Sequence, residues 1–382
     1  MIYLHILQKH MNLTDQINHL IELGPFNTSL KQKNGNLLNL FKQQIQHHIK
    51  NCKEYKNWYL SNNFQASEKI TSLEEIPFIP SAVFKHLPLR SYPLLNKQIQ
   101  SSGTTSSLKS TIYMDSATSL NQTKALTKIL KFFLGKKKKP FFIVDIEPKN
   151  STTKDGSIAA RFAGMAGYLL AAKSKMYLLQ EAESGRITLK EDALEILISS
   201  SKLEPVVIIG YTYMIWQYLL DSQDHKIHLQ LGSDTQLIHF GGWKKLNDLK
   251  ISKKNLMQTL DHTLSISKER ILDIYGFTEQ LGTVYIAQGE GGCVVSDYSY
   301  LIVRDPVTLK PVLDGDVGFL QFLSILPISY PGFSILNDDL GMITERKIGI
   351  DGQEIIKFNV MSRLEKAESR GCGDTLPENF YI

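Results

Sequence analysis

Four short apolar runs set the tightest limit on how this chain can fold. They are Phe141-Phe142-Ile143-Val144, Pro205-Val206-Val207-Ile208-Ile209-Gly210, Gln236-Leu237-Ile238-His239-Phe240 and Ile271-Leu272-Asp273-Ile274-Tyr275. Each reads as a buried strand, because an apolar run of this length leaves no wet face. Longer helical stretches separate them, including a small-residue helix expected over 161–173. Strand and helix alternating in this way predict a largely parallel sheet covered on both faces. Ligands of such sheets sit beyond the carboxyl ends of the strands.

The flanks read differently. Residues 1 to 70 carry helical periodicity rich in Gln, Asn, Lys and His, as in Leu37-Leu38-Asn39-Leu40-Phe41-Lys42, and predict an α-rich opening. Ile76-Pro77-Phe78-Ile79-Pro80 ends that pattern, since each proline disfavours helix in the residue before it. After Gly291 short strands are expected, with turns at Leu313-Asp314-Gly315-Asp316, Asp338-Asp339-Leu340-Gly341 and Asp351-Gly352.

With 382 residues, 42% of them apolar, the chain can bury a core without disulfides or a structural metal. The formal charge of +5 suits an anionic substrate and is too small to argue for nucleic acid. Lys136 to Lys139 reads as a solvated helix end. Cys52, Cys293 and Cys372 are widely separated and odd in number, so neither a disulfide framework nor a CxxC metal site is expected. The first ten residues lack the character of a signal peptide, and no apolar run approaches the ~18 residues of a membrane span. Those features predict a cytoplasmic protein.

Three stretches carry chemistry. Ser101-Ser102-Gly103-Thr104-Thr105-Ser106-Ser107-Leu108-Lys109-Ser110 can turn backbone N–H groups and hydroxyls toward a phosphate, with Lys109 adding positive charge. The same composition also suits a solvated loop. Tyr275-Gly276-Phe277-Thr278-Glu279 falls at a strand end and offers a ring to stack on a base, a hydroxyl for a phosphate and a carboxylate for Mg²⁺. In Asn337-Asp338-Asp339-Leu340-Gly341 an aspartate could accept hydrogen bonds from both ribose hydroxyls, or the segment could be an ordinary Asp-Gly turn. Arg363 and Arg370-Gly371-Cys372-Gly373 follow near the C-terminus.

These elements stand in the order found in the adenylate-forming superfamily, and the chain resembles it. The Tyr-Gly-x-Thr-Glu motif of that superfamily matches Tyr275 to Glu279 residue for residue. His239-Phe240-Gly241-Gly242-Trp243-Lys244, with the upstream Ile76 to Pro80 and Val83-Phe84-Lys85, resembles the LuxE-type acyl-protein synthetases in particular. The likeness runs from about residue 70 onward. Two departures stand out: Ser106-Ser107 replaces the glycine and proline usual in the phosphate loop, and the catalytic lysine of the superfamily's C-terminal domain has no counterpart here.

The resemblance implies an α/β adenylate-forming large-domain fold with mostly parallel sheets covered by helices, a β-rich closing section and a severely truncated C-terminal small domain. It implies an α-rich segment over 1–70, an adenylate-forming domain over 71–360, and a hinge with a short tail over 361–382. ATP and Mg²⁺ are the implied cofactors. Ser102, Gly103, Thr104, Thr105, Lys109 and Thr278 would meet the phosphates, and Glu279 the magnesium. Tyr275, Gly276, Gly241 and Gly242 would meet adenine, and Asp339 the ribose. Arg363 would guard the phosphate or ribose side, and Cys372 would accept the acyl group. Small residues of the 161–170 helix, such as Gly164, Ala166 and Gly167, would leave room for an alkyl chain or serve helix packing.

The implied reaction is ATP-dependent activation of a carboxylic acid, by family expectation a long-chain fatty acid, followed by transfer to a cysteine. An acyl reductase or another acyl-accepting protein would be the partner, with oligomers allowed. Two other readings stay open. One is adenylation of an aryl, short or amino acid with transfer to coenzyme A, a carrier protein or a sugar amine in surface-polysaccharide synthesis. The other is a non-catalytic nucleotide-binding module.

Overall fold

The computed structural model describes residues 11–92, 97–101, 109–148, 164–220, 229–242, 251–349 and 352–363. They divide into two compact units. The first comprises Met1–Ile129, Gly276–Thr283 and Val294–Ile382; the second comprises Leu130–Tyr275 and Val284–Cys293.

The first unit opens with three helices, α1 (Leu13–Leu23), α2 (Leu30–Asn51) and α3 (Lys53–Ser61). Asn12 caps α1 by accepting from the Asp15 N–H at 2.9 Å. Ile17, Leu20 and Ile21 of α1, Leu37, Leu40, Phe41 and Ile45 of α2, and Tyr55, Trp58 and Tyr59 of α3 are buried. Their three- and four-residue spacing puts one stripe of each helix inward. The amide-rich composition has a structural use. Gln44 lies inside the stripe, and its Nε2 donates to the carbonyls of Ile325 and Pro327 at 2.9 and 3.1 Å, tying α2 to the closing section. Lys33 is also buried, with Nζ 3.8 Å from Asp297.

Next come β1 (Ile79–Pro80), α4 (Val83–His86), the antiparallel pair β2 (Lys97–Gln100) and β3 (Thr111–Met114), and α5 (Ser116–Leu134). Gly135 follows α5 with φ +88, and Lys136, Lys137 and Lys138 are exposed, as expected of a solvated helix end, whereas Lys139 is half-buried and its Nζ donates to Gln236 Oε1.

The second unit carries β4 (Pro140–Ile146), β5 (Ser174–Glu181), β6 (Ile187–Leu189), α6 (Glu191–Leu203), β7 (Val207–Tyr211), α7 (Thr212–Ile215), β8 (Gln236–Phe240), α8 (Lys253–Leu264), β9 (Ile271–Tyr275) and β10 (Tyr285–Gln288). Strand order in this unit is β10-β9-β8-β7-β4-β5-β6. From β5 to β9 every neighbouring pair is parallel, while β6 and β10 run antiparallel to β5 and β9. All of β7 and β8 is buried, which is why these strands read as unbroken apolar runs. The helix expected over 161–173 is not continuous. Residues 161–163 lie outside the described residues, Gly164 and Met165 make a short helical piece, and a turn leads into a 3₁₀ segment, Tyr168–Ala171. Gly164 and Gly167 lower helix propensity there.

The first unit closes with β12 (Ser299–Arg304), β13 (Gly318–Ser324), β14 (Ser334–Ile348) and β15 (Glu354–Arg363), antiparallel in that order; the two-residue β11 (Cys293–Val294) precedes them in the chain. β1 joins the first unit's strands by pairing parallel to β14. The segment Asp338-Asp339-Leu340-Gly341 is not a turn: it lies inside the 15-residue β14. Pairing to β13 on one side and β15 on the other overrides the local Asp-Gly preference, and the conflict appears as a register shift between Leu340 and Gly341. Gly315 does turn, with φ +94. Among the described residues no helix is long and apolar enough to cross a membrane.

Candidate functional site

In the second unit, parallel pairing of β8 with β9 sets Phe240 opposite Ile274, so Gly241-Gly242 and Tyr275 share the carboxyl edge of the sheet. This is the edge at which sheets of this kind bind ligands. Gly241 and Gly242 have φ of +81 and +63, and a Cβ on Gly241 would stand 2.7 Å from the Tyr211 ring. Glycine is therefore required at Gly241 both by its conformation and by the aromatic floor beneath it. Tyr211 packs on Phe240, with ring centroids 4.6 Å apart, and Phe240 packs on Tyr168 at 5.1 Å. A Cβ on Gly164 would lie 2.6 Å from the Tyr211 hydroxyl, so that glycine makes room for an aromatic side chain of the protein itself.

Behind the glycine pair lies a polar chain. Thr212 Oγ1 donates to the Phe240 carbonyl at 3.2 Å and pairs with His239 Nδ1 at 3.0 Å. Asp273 Oδ1 stands 3.7 Å from the same nitrogen. Burial holds the His239 pKa below its ordinary value; Asp273 opposes that shift and Lys253 adds to it.

In the first unit, Thr278–Gln280 form a 3₁₀ turn directly after Phe277. Gln280 anchors it: its Nε2 donates to the carbonyls of Phe322 and Gly332 at 2.9 and 2.8 Å. Each such bond contributes about 0.5–1.5 kcal/mol net. Gly332 permits a close approach, since a Cβ there would meet the Glu279 carbonyl at 2.7 Å. Glu279 is buried, and its charge, after burial, helps keep the Tyr330 phenol protonated. Gln122 Nε2 donates to that phenol at 3.3 Å.

Strand β3 packs against the Thr278–Gln280 turn. The loop between β2 and β3 is closed at its base by Ser101 N–H to the Ser110 carbonyl at 2.9 Å and Ser110 N–H to Ser101 Oγ at 3.1 Å. Lys109 is exposed at that base. The first unit therefore places the base of the Ser/Thr loop beside the Thr-Glu half of the motif. Asp339 is buried on β14, where Asn337 Nδ2 donates to its Oδ2 at 3.1 Å, and it lies opposite Arg363 in the β14–β15 register. Gly276, exposed, links Tyr275 of one unit to Phe277 of the other.

Ser102, Gly103, Thr104, Thr105, Trp243, Lys244 and Cys372 lie outside the described residues. The other two cysteines are buried. Burial pushes the Cys52 thiol up to about 11 and drives the Cys293 thiol higher still, with Asp273 adding to the latter shift. Gln280, Tyr330, Gly332 and Asp273 were not singled out from sequence; the stretch Gly210-Tyr211-Thr212-Tyr213 was expected only as a strand end lining the acyl pocket. Gln280 had one usable signal, its position next to Glu279.

ATP and magnesium can be tested against these residues. The positive-φ glycine pair next to Tyr275 offers backbone approach and a ring to a base. Among the described residues no group of three or more His, Cys, Asp and Glu is gathered for a metal. Magnesium in nucleotide sites takes one or two carboxylates with the phosphates, and the single carboxylate of Glu279 fits that pattern.

Known proteins resemble this chain in sequence and in fold. A family model described as acyl-protein synthetase, LuxE, matches residues 4–381. The long-chain-fatty-acid–luciferin-component ligase of Aliivibrio fischeri is 22% identical over 340 residues, covering 87% of this chain and 85% of that protein. The ligase of the same name from Vibrio harveyi is 22% identical over 386 residues, covering 98% and 96%. Among solved structures, an open conformation of 2-hydroxyisobutyryl-CoA ligase with its acyl-AMP and CoA superposes with a TM-score of 0.63 at 14% identity, covering 89% of this chain and 77% of that one. The same ligase in its thioesterification state gives 0.59 at 15% identity, over 87% and 68%. At that identity the likeness establishes the fold.

Proposed function

Because this chain belongs to the LuxE acyl-protein synthetase family, we propose that it activates a long-chain fatty acid with ATP and carries the acyl group as a thioester on Cys372. The observation that supports this reading most is the placement of Gly241-Gly242 beside Tyr275 at the carboxyl edge of β8 and β9, with Thr278 and Glu279 following in the chain. In the first step the fatty carboxylate attacks the α-phosphorus of ATP, pyrophosphate leaves and an acyl-AMP mixed anhydride forms. In the second, a thiolate attacks the acyl carbon and AMP leaves. The acyl group then passes to an acyl-accepting partner protein.

Roles follow the resemblance. Ser102, Gly103, Thr104, Thr105, Lys109 and Thr278 hold the phosphates. Tyr275, Gly276, Gly241 and Gly242 receive the adenine, Asp339 the ribose, and Arg363 the phosphate or ribose side. Glu279 holds magnesium, which when bound neutralises phosphate charge. The rate of the first step comes mainly from positioning and charge stabilisation. For the acceptor, burial argues against Cys52 and Cys293, whose thiols are driven away from the thiolate form that attacks. Cys372 is the remaining cysteine of the chain. Arg370 beside it favours its thiolate.

Acid-dependent exchange of labelled pyrophosphate into ATP tests the first step. Exchange with tetradecanoate, and much less with acetate, benzoate or amino acids, is expected. Exchange with an aryl or amino acid alone would move the reading to that acid, and no exchange with any acid while ATP still binds would leave a non-catalytic nucleotide-binding module.

A further inference from the structure

The adenine-facing turn proposed above has a restraint of its own, and the inference drawn from it rests on that reading. The geometry points to Asp273, His239 and Thr212 as positioning residues that hold the peptide unit leading into Gly241-Gly242 in one orientation.

Thr212 Oγ1 carries one proton, and it donates that proton to the Phe240 carbonyl at 3.2 Å. Toward His239 Nδ1, 3.0 Å away, the same oxygen must therefore accept, so Nδ1 carries the imidazole proton. Asp273 Oδ1, 3.7 Å from Nδ1, favours a proton there as well. The other ring nitrogen, Nε2, is buried with no hydrogen-bond partner among the described residues. A leucine or phenylalanine would bury that site without an orphaned acceptor. The retained imidazole is thus used through its Nδ1 side. Register accounts for the arrangement: His239 lies between Gly210 of β7 and Asp273 of β9 on adjacent parallel strands.

The consequence runs through the peptide plane. The Phe240 carbonyl and the Gly241 N–H belong to one planar trans unit, so pinning the oxygen fixes the direction of the N–H. Gly241 and Gly242 both adopt positive φ and have little intrinsic restraint, so an external anchor sets their path. Without it, ATP binding would have to order the turn.

The test measures KM for ATP, KM for tetradecanoate and kcat, together with direct ATP binding by calorimetry, for the wild-type chain, His239→Leu, His239→Asn, His239→Gln, Thr212→Val and the double variant His239→Leu/Thr212→Val. An asparagine amide can occupy the place of Nδ1, whereas a glutamine amide reaches the place of Nε2. We expect His239→Leu and Thr212→Val each to raise KM and Kd for ATP about tenfold, the scale of freeing one ordered residue. KM for the acid should stay unchanged and kcat within about threefold, and the double variant should be no worse than either single change, as for residues acting as one unit. His239→Asn should restore affinity and His239→Gln should not. Equal behaviour of Asn and Gln, or a parallel rise in KM for both substrates, would overturn the inference. ATP binding to the wild-type chain that no variant weakens would overturn it alone; no ATP binding to the wild-type chain would overturn it together with the nucleotide reading. Should His239→Leu fail to fold, the Asn-against-Gln comparison decides.

Discussion

Asp339 of β14 lies directly opposite Arg363, the last residue of β15. The pairing puts the proposed ribose ligand and the arginine of the proposed hinge in adjacent strands of the same unit, although they lie 24 positions apart in the chain. Asn337 supports the arrangement by donating to Asp339 Oδ2 at 3.1 Å.

Replacing Asp339 with alanine should raise KM for ATP about 10- to 100-fold, since a hydrogen bond to a charged group contributes about 1.5–3 kcal/mol. The comparison with 2′-deoxy-ATP is the sharper readout. The wild-type chain should discriminate against the deoxy nucleotide, and Asp339→Ala should lose most of that discrimination; equal discrimination in both proteins would remove Asp339 from the ribose.

Glu279→Gln keeps the shape of the buried side chain and removes its charge. The expected result is a loss of kcat of about 100-fold at fixed magnesium, with half-saturation moved to higher metal concentration. Thermal unfolding should shift little, because the turn is held by Gln280. An unaltered magnesium dependence would show that Glu279 has another role.

Acid should destabilise this fold from just below pH 6.5. Burial holds His48 well below its ordinary 6.5, and His239 is lowered by the same cause. Above that pH both the folded and the unfolded chain keep these rings neutral, so neither alters stability. As pH falls below it, the unfolded chain takes up protons that the folded rings refuse, and stability drops by about 1.4 kcal/mol per pH unit for each ring until its folded pKa is reached. Urea midpoints across pH 7.5 to 5 measure this. His48→Phe retains the stacking on Phe333 and should flatten the slope by one proton; an unchanged slope would exclude His48 as a source.

Thiol reactivity should separate the three cysteines. At pH 8 iodoacetamide should modify Cys372 in the native chain, while Cys52 and Cys293 react only after unfolding. Mass spectrometry of digests before and after urea measures it, and native modification of Cys293 would contradict its burial.

Much of the second unit could be read in advance. β8 and β9 coincide with Gln236–Phe240 and Ile271–Tyr275 because each is a short apolar run in a parallel sheet, where side chains alone mark the strand. The segment at Asp338 misled for the opposite reason: its local chemistry is that of a turn, and only the flanking strands, distant in sequence, make it extended. Distance also hid the anchors of the site. Gln280 reaches the carbonyls of Phe322 and Gly332, 42 and 52 positions away, and nothing local to it announces either partner. His239 was visible only as the neighbour of a glycine pair, since its use depends on the β8–β9 register that sets it beside Asp273. The cysteines could be counted from sequence and the resemblance pointed to Cys372, but the burial of Cys52 and Cys293 needed the fold.

Self-acylation on Cys372 carries the proposed reaction, and labelling with radioactive tetradecanoate and MgATP is its direct test. The native chain should carry label that survives denaturing electrophoresis and is released by hydroxylamine, and Cys372→Ala should carry none while still exchanging pyrophosphate. Label retained by Cys372→Ala, or pyrophosphate exchange with no label on the native chain, would contradict it and assign the acyl group to another acceptor.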